Sequence, residues 1–177
     1  MKKGLLVLSF MALLLGCKKD STPKSAEGYF FDYKVRIDND INEPTIINGY
    51  YGLVREYKGN FMPDPTSEKQ REPKLATNRL VFYEAAFKDE IASAAIERNG
   101  TTFYDMSKIR NEEIEPKFYI YPNRNGFYQF DTNGRKYIGF IQISKRLLYL
   151  NGGITEFGGL NNQLINFDMR IDYDATF

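Results

Sequence analysis

The stretch INFDMRIDYD (residues 165–174) alternates strictly between apolar and polar side chains. Ile165, Phe167, Met169, Ile171 and Tyr173 fall on one face of an extended chain, and the polar residues between them fall on the other. Because successive side chains of a β-strand point to opposite faces, this period of two predicts a strand with one buried and one solvated face. Such strands are typical of antiparallel sheets.

The same alternation marks FDYKVRID (31–38), and shorter apolar runs lie between these two stretches. Aromatic residues make up 15% of the chain and are all Tyr or Phe, which suit a pleated, half-buried surface. Many short strands at this spacing predict a mainly β fold, either an antiparallel β-sandwich or a small β-barrel. The strand candidates are TIINGYYGLVREY (45–57), RLVFYEAAF (79–87), KFYIYP (117–122), GFYQFD (126–131), KYIGFIQIS (136–144) and RLLYL (146–150).

Residues 84–98 allow two interpretations. Asn99-Gly100 lies between two apolar runs, which is the strongest short signal for a β-hairpin. The alanines and the helical spacing of Phe87 and Ile91 favour instead one short helix near 84–98 that ends at the glycine. Both alternatives stay open.

Two stretches are predicted to be irregular loops. Residues 58–78 contain three prolines and many charges without periodicity, and residues 151–162 contain four glycines. Loops of this length in a compact domain are usually functional or mobile, whereas ordinary surface loops are the simpler explanation.

The chain has 24 Lys and Arg against 23 Asp and Glu, no His and one Cys. This balance creates no strong positive field, so we expect no nucleic-acid partner. Without histidine, neither a Ser-His-Asp nor a Cys-His catalytic arrangement can form, and typical zinc sites are excluded. Only carboxylate chemistry would remain, so we expect a protein that is not an enzyme and has no cofactor.

The first residues have the organisation of a secretory signal. Lys2 and Lys3 precede an apolar run, Leu5 to Leu15, that only Ser9 interrupts. The run is too short for a membrane-spanning helix, which needs roughly 20 apolar residues. We predict a signal peptide over residues 1–16.

Leu14-Leu15-Gly16-Cys17 resembles the lipobox of bacterial lipoproteins. The resemblance implies that Cys17 carries the lipid and becomes the first residue of the mature chain. Lys18 follows it, where an Asp would imply retention in the inner membrane, so the family rule implies an outer-membrane location. The Cys-Lys-Lys-Asp opening looks like lipoproteins of the Bacteroidota type, and either the periplasmic face or the cell surface remains open.

Residues 17–27 are rich in Lys, Ser, Thr and Pro, which indicates a flexible tether behind the lipid. Asp20-Ser21-Thr22 matches a short O-glycosylation acceptor of that bacterial group, which makes Ser21 a candidate glycosylation site. Residues 28–177 are then predicted to form a single antiparallel β domain, which is large enough to bury a core without disulfides.

Ligand-binding candidates come from the aromatic residues Tyr50, Tyr51, Tyr57 and Phe61, because aromatic faces can stack on sugars. The alternative is core packing together with tyrosines at the sheet edge. DNDINE (38–43) resembles the start of a calcium loop, but Glu43 stands where that loop needs glycine, so we predict no metal site.

Together these features predict a lipid-anchored outer-membrane protein whose domain acts as a binding or accessory subunit of a cell-envelope complex. Two alternatives remain. One is a lipocalin-like carrier of a small apolar ligand, and the other is a glycan-binding module.

Overall fold

A computed structural model describes residues 34–62, 71–98, 100–143 and 148–177. Over these residues the chain is built mainly from short strands, with two short helices inserted between them. The elements are β1 (Lys34–Arg36), β2 (Gly49–Asn60), β3 (Lys74–Leu75), β4 (Leu80–Glu84), a 3-10 turn (Ala85–Phe87), α1 (Lys88–Ser93), β5 (Ala95–Arg98), β6 (Thr101–Asp105), α2 (Met106–Asn111), β7 (Phe118–Tyr121), β8 (Phe127–Phe130), β9 (Tyr137–Gln142), β10 (Tyr149–Phe157), β11 (Leu164–Asn166) and β12 (Met169–Thr176).

The larger sheet has seven strands in the order β1-β7-β4-β9-β10-β6-β5. Every residue of β9, and all of β4 except Glu84, is buried. Strands covered on both faces read as continuous apolar runs, which is why these two stretches do not alternate.

The second sheet is organised around β2, a strand of twelve residues. Along one edge, β8 and then β3 pair antiparallel with residues 50–53 and 55–56 of β2. Along the other edge, β11 and then β12 run parallel to residues 49–51 and 54–60. Both halves of β2 therefore have a partner on each side.

The two sheets pack face to face around an aromatic core. The ring of Phe82 lies 4.7 Å from Phe118 in its own sheet and 4.6 Å from Phe130 in the other. Gly139 gives the ring of Phe157 room, because a Cβ there would lie 2.5 Å from a carbon of that ring. Stacked and tilted aromatic pairs of this kind stabilise a core beyond the area that they bury.

The outer face of the seven-stranded sheet is covered by the helices. Ile91 of α1 and Met106 and Ile109 of α2 are fully buried against a cluster that includes Tyr83 and Phe140. The described chain thus forms three layers, with helices over one sheet and the second sheet behind it. None of the helices in this described part is long and apolar enough to cross a membrane.

The predicted mainly β fold with a sandwich arrangement is confirmed. The small-barrel alternative is not what the described residues form, because the edge strands β1 and β5 do not pair with each other. Three described pairings depart from the predicted antiparallel arrangement. β1 runs parallel to β7, and both β11 and β12 run parallel to β2.

Residues 84–98 combine the two alternatives. The 3-10 turn and α1 occupy 85–93, and β5 then forms a hairpin with β6 around Gly100, whose φ is +76°. The helix α2 was not expected from the sequence. Its N-cap is Asp105, whose carboxylate accepts the N–H of Ser107 at 2.8 Å.

The two predicted loops are partly strands. Residues 58–60 belong to β2 and residues 74–75 form β3, while 63–70 lie outside the described residues. Of the glycine-rich stretch, residues 151–157 belong to β10. Between Asn151 and Thr155 the register with β9 shifts, so Gly152 and Gly153 occupy an irregularity within a strand, and Gly158 and Gly159 follow its end.

Candidate functional site

The four aromatic candidates do not form one surface. Tyr50 is only 8% exposed and packs between the sheets, with its ring 4.9 Å from Phe157 and its hydroxyl accepting the N–H of Gly158 at 3.0 Å. Tyr51 is half-buried, with its ring 6.4 Å from Phe127. Tyr50 is therefore a core residue rather than part of a surface that a ligand could reach. The core-packing alternative describes it correctly.

Tyr57 and Phe61 do meet, and Phe177 joins them. The Tyr57 ring lies 5.0 Å from Phe61 and 5.7 Å from Phe177, and the two phenylalanines are 5.9 Å apart. Phe177 is 62% exposed, so part of this group faces solvent. We call Tyr57, Phe61 and Phe177 the aromatic cluster.

The parallel register of β2 and β12 builds the aromatic cluster. Asn60 is paired with Thr176, and the N–H of Phe61 donates to the carbonyl oxygen of Thr176 at 2.7 Å. The residues that follow these two, Phe61 and Phe177, are thereby placed side by side. This contact depends on a pairing between distant parts of the chain, which is why sequence reasoning missed Phe177.

Two arginines lie over the rings of the cluster. The guanidinium carbon of Arg170 is 5.7 Å from the centre of the Tyr57 ring, and that of Arg71 is 5.6 Å from the centre of the Phe61 ring. A guanidinium at this distance is attracted by the ring electrons and is enriched at binding surfaces. The aromatic cluster therefore presents both apolar area and positive charge.

Two further apolar side chains are exposed on the segments that carry Phe61 and Arg71. Met62 and Leu75 are each 50% exposed, and Leu75 pairs across the sheet with Arg55 of β2. An exposed apolar patch with charged neighbours is typical of an interaction surface. An aromatic and cationic surface of this kind offers both apolar area and charge.

The other predicted sites lie elsewhere. Cys17 and Ser21 are outside the described residues, so their predicted lipidation and glycosylation remain predictions. In the described part of the chain, no group of three or more His, Cys, Asp or Glu side chains is placed to hold a metal ion.

Compared with protein-family models, with curated proteins and with solved structures, the chain shows no match in any of the three.

Proposed function

We propose that this protein is an outer-membrane lipoprotein, anchored by lipid on Cys17, that acts as a binding or accessory subunit of a cell-envelope complex. The observation that carries the proposal is the aromatic cluster with its two arginines. The N-terminal lipobox resemblance supports the anchor, and the cluster supplies a surface for the partner.

The partner is best described as a protein segment that offers apolar side chains next to acidic ones. Tyr, Phe, Met and Arg are the residues enriched at the centre of protein interfaces. Among the described residues, Arg71 and Arg170 have no carboxylate within ion-pair distance, so an acidic partner residue would find both guanidinium groups available. Charge of this kind steers association and orients the partner.

The two alternatives have weaker support. In the aromatic cluster, guanidinium groups lie over the rings of Tyr57 and Phe61, so a sugar would have to displace them before stacking there. Core aromatic side chains pack between the sheets, which gives a lipocalin-like carrier weaker support.

Tethering explains how a modest surface can be sufficient. A lipid anchor and a flexible tether confine the domain to the membrane, which raises its effective concentration toward a partner in the same envelope. At this higher effective concentration, a contact that would be too weak between two free proteins is occupied most of the time.

The test is to purify the tagged full-length protein from its own envelope in mild detergent and to identify what accompanies it. We expect a stoichiometric partner, and we expect the Phe61→Ser and Phe177→Ser double variant to lose most of it. Central aromatic anchors contribute about 2 kcal/mol or more, which is at least tenfold in affinity. The Cys17→Ala variant should leave the membrane fraction.

Phe87→Ser is the matched control. Phe87 is also partly exposed, at 38%, but it lies in the 3-10 turn before α1 and not in the cluster. Recovery of the same partner with the double variant would contradict the proposed surface. A full-length protein that purifies alone would contradict the subunit role.

A further inference from the structure

The strand β12 lies at an edge of the second sheet. It pairs with β2 on one side, and no described strand pairs with its other side. The backbone bonds of β2 show which of its residues reach β12. Val54 bonds to the side away from β12, because its N–H donates to Gly126 and its carbonyl oxygen accepts from Ala76, both at 2.9 Å. Neighbouring residues of a strand direct their backbone groups to opposite sides, so Arg55 bonds toward β12.

The register then places the backbone groups of Arg170 on the unpaired side of β12. Arg55 is paired with Arg170. In a parallel ladder, a residue that bonds to its neighbour strand does so through the residues before and after its partner, which here are Met169 and Ile171. The N–H and the carbonyl oxygen of Arg170 therefore point away from β2.

The end of β12 has the same arrangement. The carbonyl oxygen of Thr176 accepts the N–H of Phe61 at 2.7 Å, so the backbone groups of Thr176 point toward the β2 side. Those of Ala175, the residue before it, point the other way. We call this side of β12, from Arg170 to Ala175, the open edge.

Asn151 of β10 contacts the open edge as a further strand would. It is only 2% exposed, and its Nδ2 donates to the carbonyl oxygen of Arg170 at 3.2 Å. This bond fixes the orientation of the amide, and its Oδ1 has no hydrogen-bond partner within the described part of the chain. A buried acceptor without a partner is costly. The backbone N–H of an added segment would satisfy it.

A cavity of about 340 Å³ lies at the start of the open edge, where β9 and β10 face β12. Ile141 and Met169 give its lining apolar area, whereas Thr155, Arg170 and Asp172 give it both donors and acceptors. A peptide carries an N–H donor and a carbonyl acceptor on nearly every residue, together with side chains of either kind. A mixed lining of this sort suits a peptide segment.

The seven-stranded sheet extends beyond β12 and leaves room for one more strand. Tyr173 of β12 reaches β6, where its ring lies 5.8 Å from Phe103. Phe103 is paired in turn with Ile96 of β5, so the seven-stranded sheet continues past the position of β12. Tyr173 is 40% exposed and Ile96 is half-buried. A strand added to the open edge would lie over β6 and β5 and cover this apolar area.

A second copy of this chain fits the space poorly. In an antiparallel pair of identical β12 strands, the two-fold axis is perpendicular to the sheet, so the seven-stranded sheets of both copies would lie on the same side. The β5 and β6 strands of the two copies would then occupy the same space. A single extended segment has no such overhang.

We propose that the partner adds an extended segment as a β-strand to the open edge, with backbone hydrogen bonds to Arg170, Ala175 and Oδ1 of Asn151. Strand addition to an exposed sheet edge is an established mode of peptide recognition, in which main-chain hydrogen bonds give the affinity. The open edge continues to the aromatic cluster, since Phe177 follows β12 and the guanidinium of Arg170 lies over Tyr57. This inference rests on the proposed function, because it states how the partner of that surface is held.

The test is Ala175→Pro in the tagged full-length protein, with the partner recovered by the wild-type protein as the probe. Proline lacks the N–H and places its ring on the open edge, whereas the hydrogen bonds between β12 and β2 are kept. We expect at least a tenfold loss of the partner, because one hydrogen bond accounts for about fivefold and the ring also excludes the new strand. Ala175→Ser keeps the N–H and is the matched control, which should retain the partner.

Amide hydrogen exchange on the wild-type complex gives a second readout that does not depend on how well a variant folds. The N–H groups of Arg170 and Ala175 should exchange at least tenfold more slowly with the partner bound than without it. The N–H of Ile171, which already bonds to β2, should change less.

Three outcomes would overturn the proposal, and they separate it from the proposed function. Full recovery of the partner with Ala175→Pro, or unchanged exchange at Arg170 and Ala175 in the complex, would exclude strand addition and leave the subunit role standing. A wild-type protein that purifies alone would overturn both.

Discussion

Asn123→Ala should be among the most destabilising single changes in this protein. Asn123 is 2% exposed and uses its whole side-chain amide. Its Nδ2 donates to the carbonyl oxygens of Asp38 at 3.2 Å and Ile41 at 2.5 Å, and its Oδ1 accepts the N–H groups of Asn125 at 2.9 Å and Phe127 at 3.0 Å. The residue thus holds together the corner where β7 of one sheet leads to β8 of the other, and the segment after β1.

The expected loss in the free energy of unfolding follows from these four hydrogen bonds. Each intramolecular hydrogen bond contributes about 1 kcal/mol net, and a buried group left without its partner costs more. Alanine removes all four bonds and leaves the N–H of Phe127 buried without this acceptor. We therefore expect the free energy of unfolding to fall by about 4 kcal/mol, a large part of the 5 to 15 kcal/mol that is usual for a domain.

Urea unfolding of the full-length protein, followed by circular dichroism, measures this loss. The midpoint should fall while the slope of the free energy against urea stays the same, because the folded state is unchanged elsewhere. Asn125→Ala is the control, since among the described residues its side chain donates to Asn42 alone, in an exposed pair at 2.7 Å, and we expect less than about 1 kcal/mol. A loss of under about 1 kcal/mol for Asn123→Ala, or equal losses in the two variants, would refute the reasoning.

Three further predictions concern other parts of the molecule. Gly139→Ala should destabilise the sandwich by about 1 to 3 kcal/mol, because the new Cβ would meet the Phe157 ring, and an unchanged melting temperature would contradict this. Lys88 holds the pKa of Glu156 below its ordinary value through a hydrogen bond and its charge, so NMR titration should find that pKa higher in Lys88→Ala, and an unchanged value would disprove the pairing. Burial raises the pKa of Tyr128 well above its ordinary value of about 10, so stability should be retained below pH 10 and lost above it as the unfolded chain ionises. Absorbance of tyrosinate should then rise together with unfolding, and ionisation at pH 10 in the folded state would contradict the burial.

Alternation predicted the middle of 165–174 well and its ends poorly. Met169 and Ile171 are buried, at 6% and 3% exposure, as the period of two requires. Phe167 and Tyr173 are more exposed because the strand is interrupted at 167–168 and its register with β2 shifts after Ile171. A local pattern reports on neighbours along the chain, and it carries no information about such interruptions.

The direction of the strands and the members of the candidate site could not be predicted from the sequence either, because both depend on pairing between distant segments of the chain. Alternation in β12 is compatible with either direction, and the parallel choice is decided by its neighbour β2. That choice brings Phe177 to Phe61. The burial of Asn151 was missed because the residue stands in a glycine-rich stretch that was predicted to be a loop, whereas its side chain packs against β12 and donates to the carbonyl oxygen of Arg170. Only Tyr57 and Phe61 were anticipated, from their closeness in sequence.

The pairing of β2 with β11 and β12, the last two strands of the chain, has a consequence for how the protein folds. The carboxylate of Asp168 accepts the N–H of Leu53, and these residues are 115 positions apart. Contacts between residues this far apart in sequence form slowly, because the chain loses the entropy of a long loop before any strand hydrogen bond forms. Domains rich in such β pairings fold in milliseconds to seconds. Until β11 and β12 pair with β2, the backbone N–H and C=O groups along one edge of β2 are unpaired and can hydrogen-bond to another chain. We therefore expect refolding yield to fall as protein concentration rises, and we expect folding to benefit from a chaperone that covers this edge.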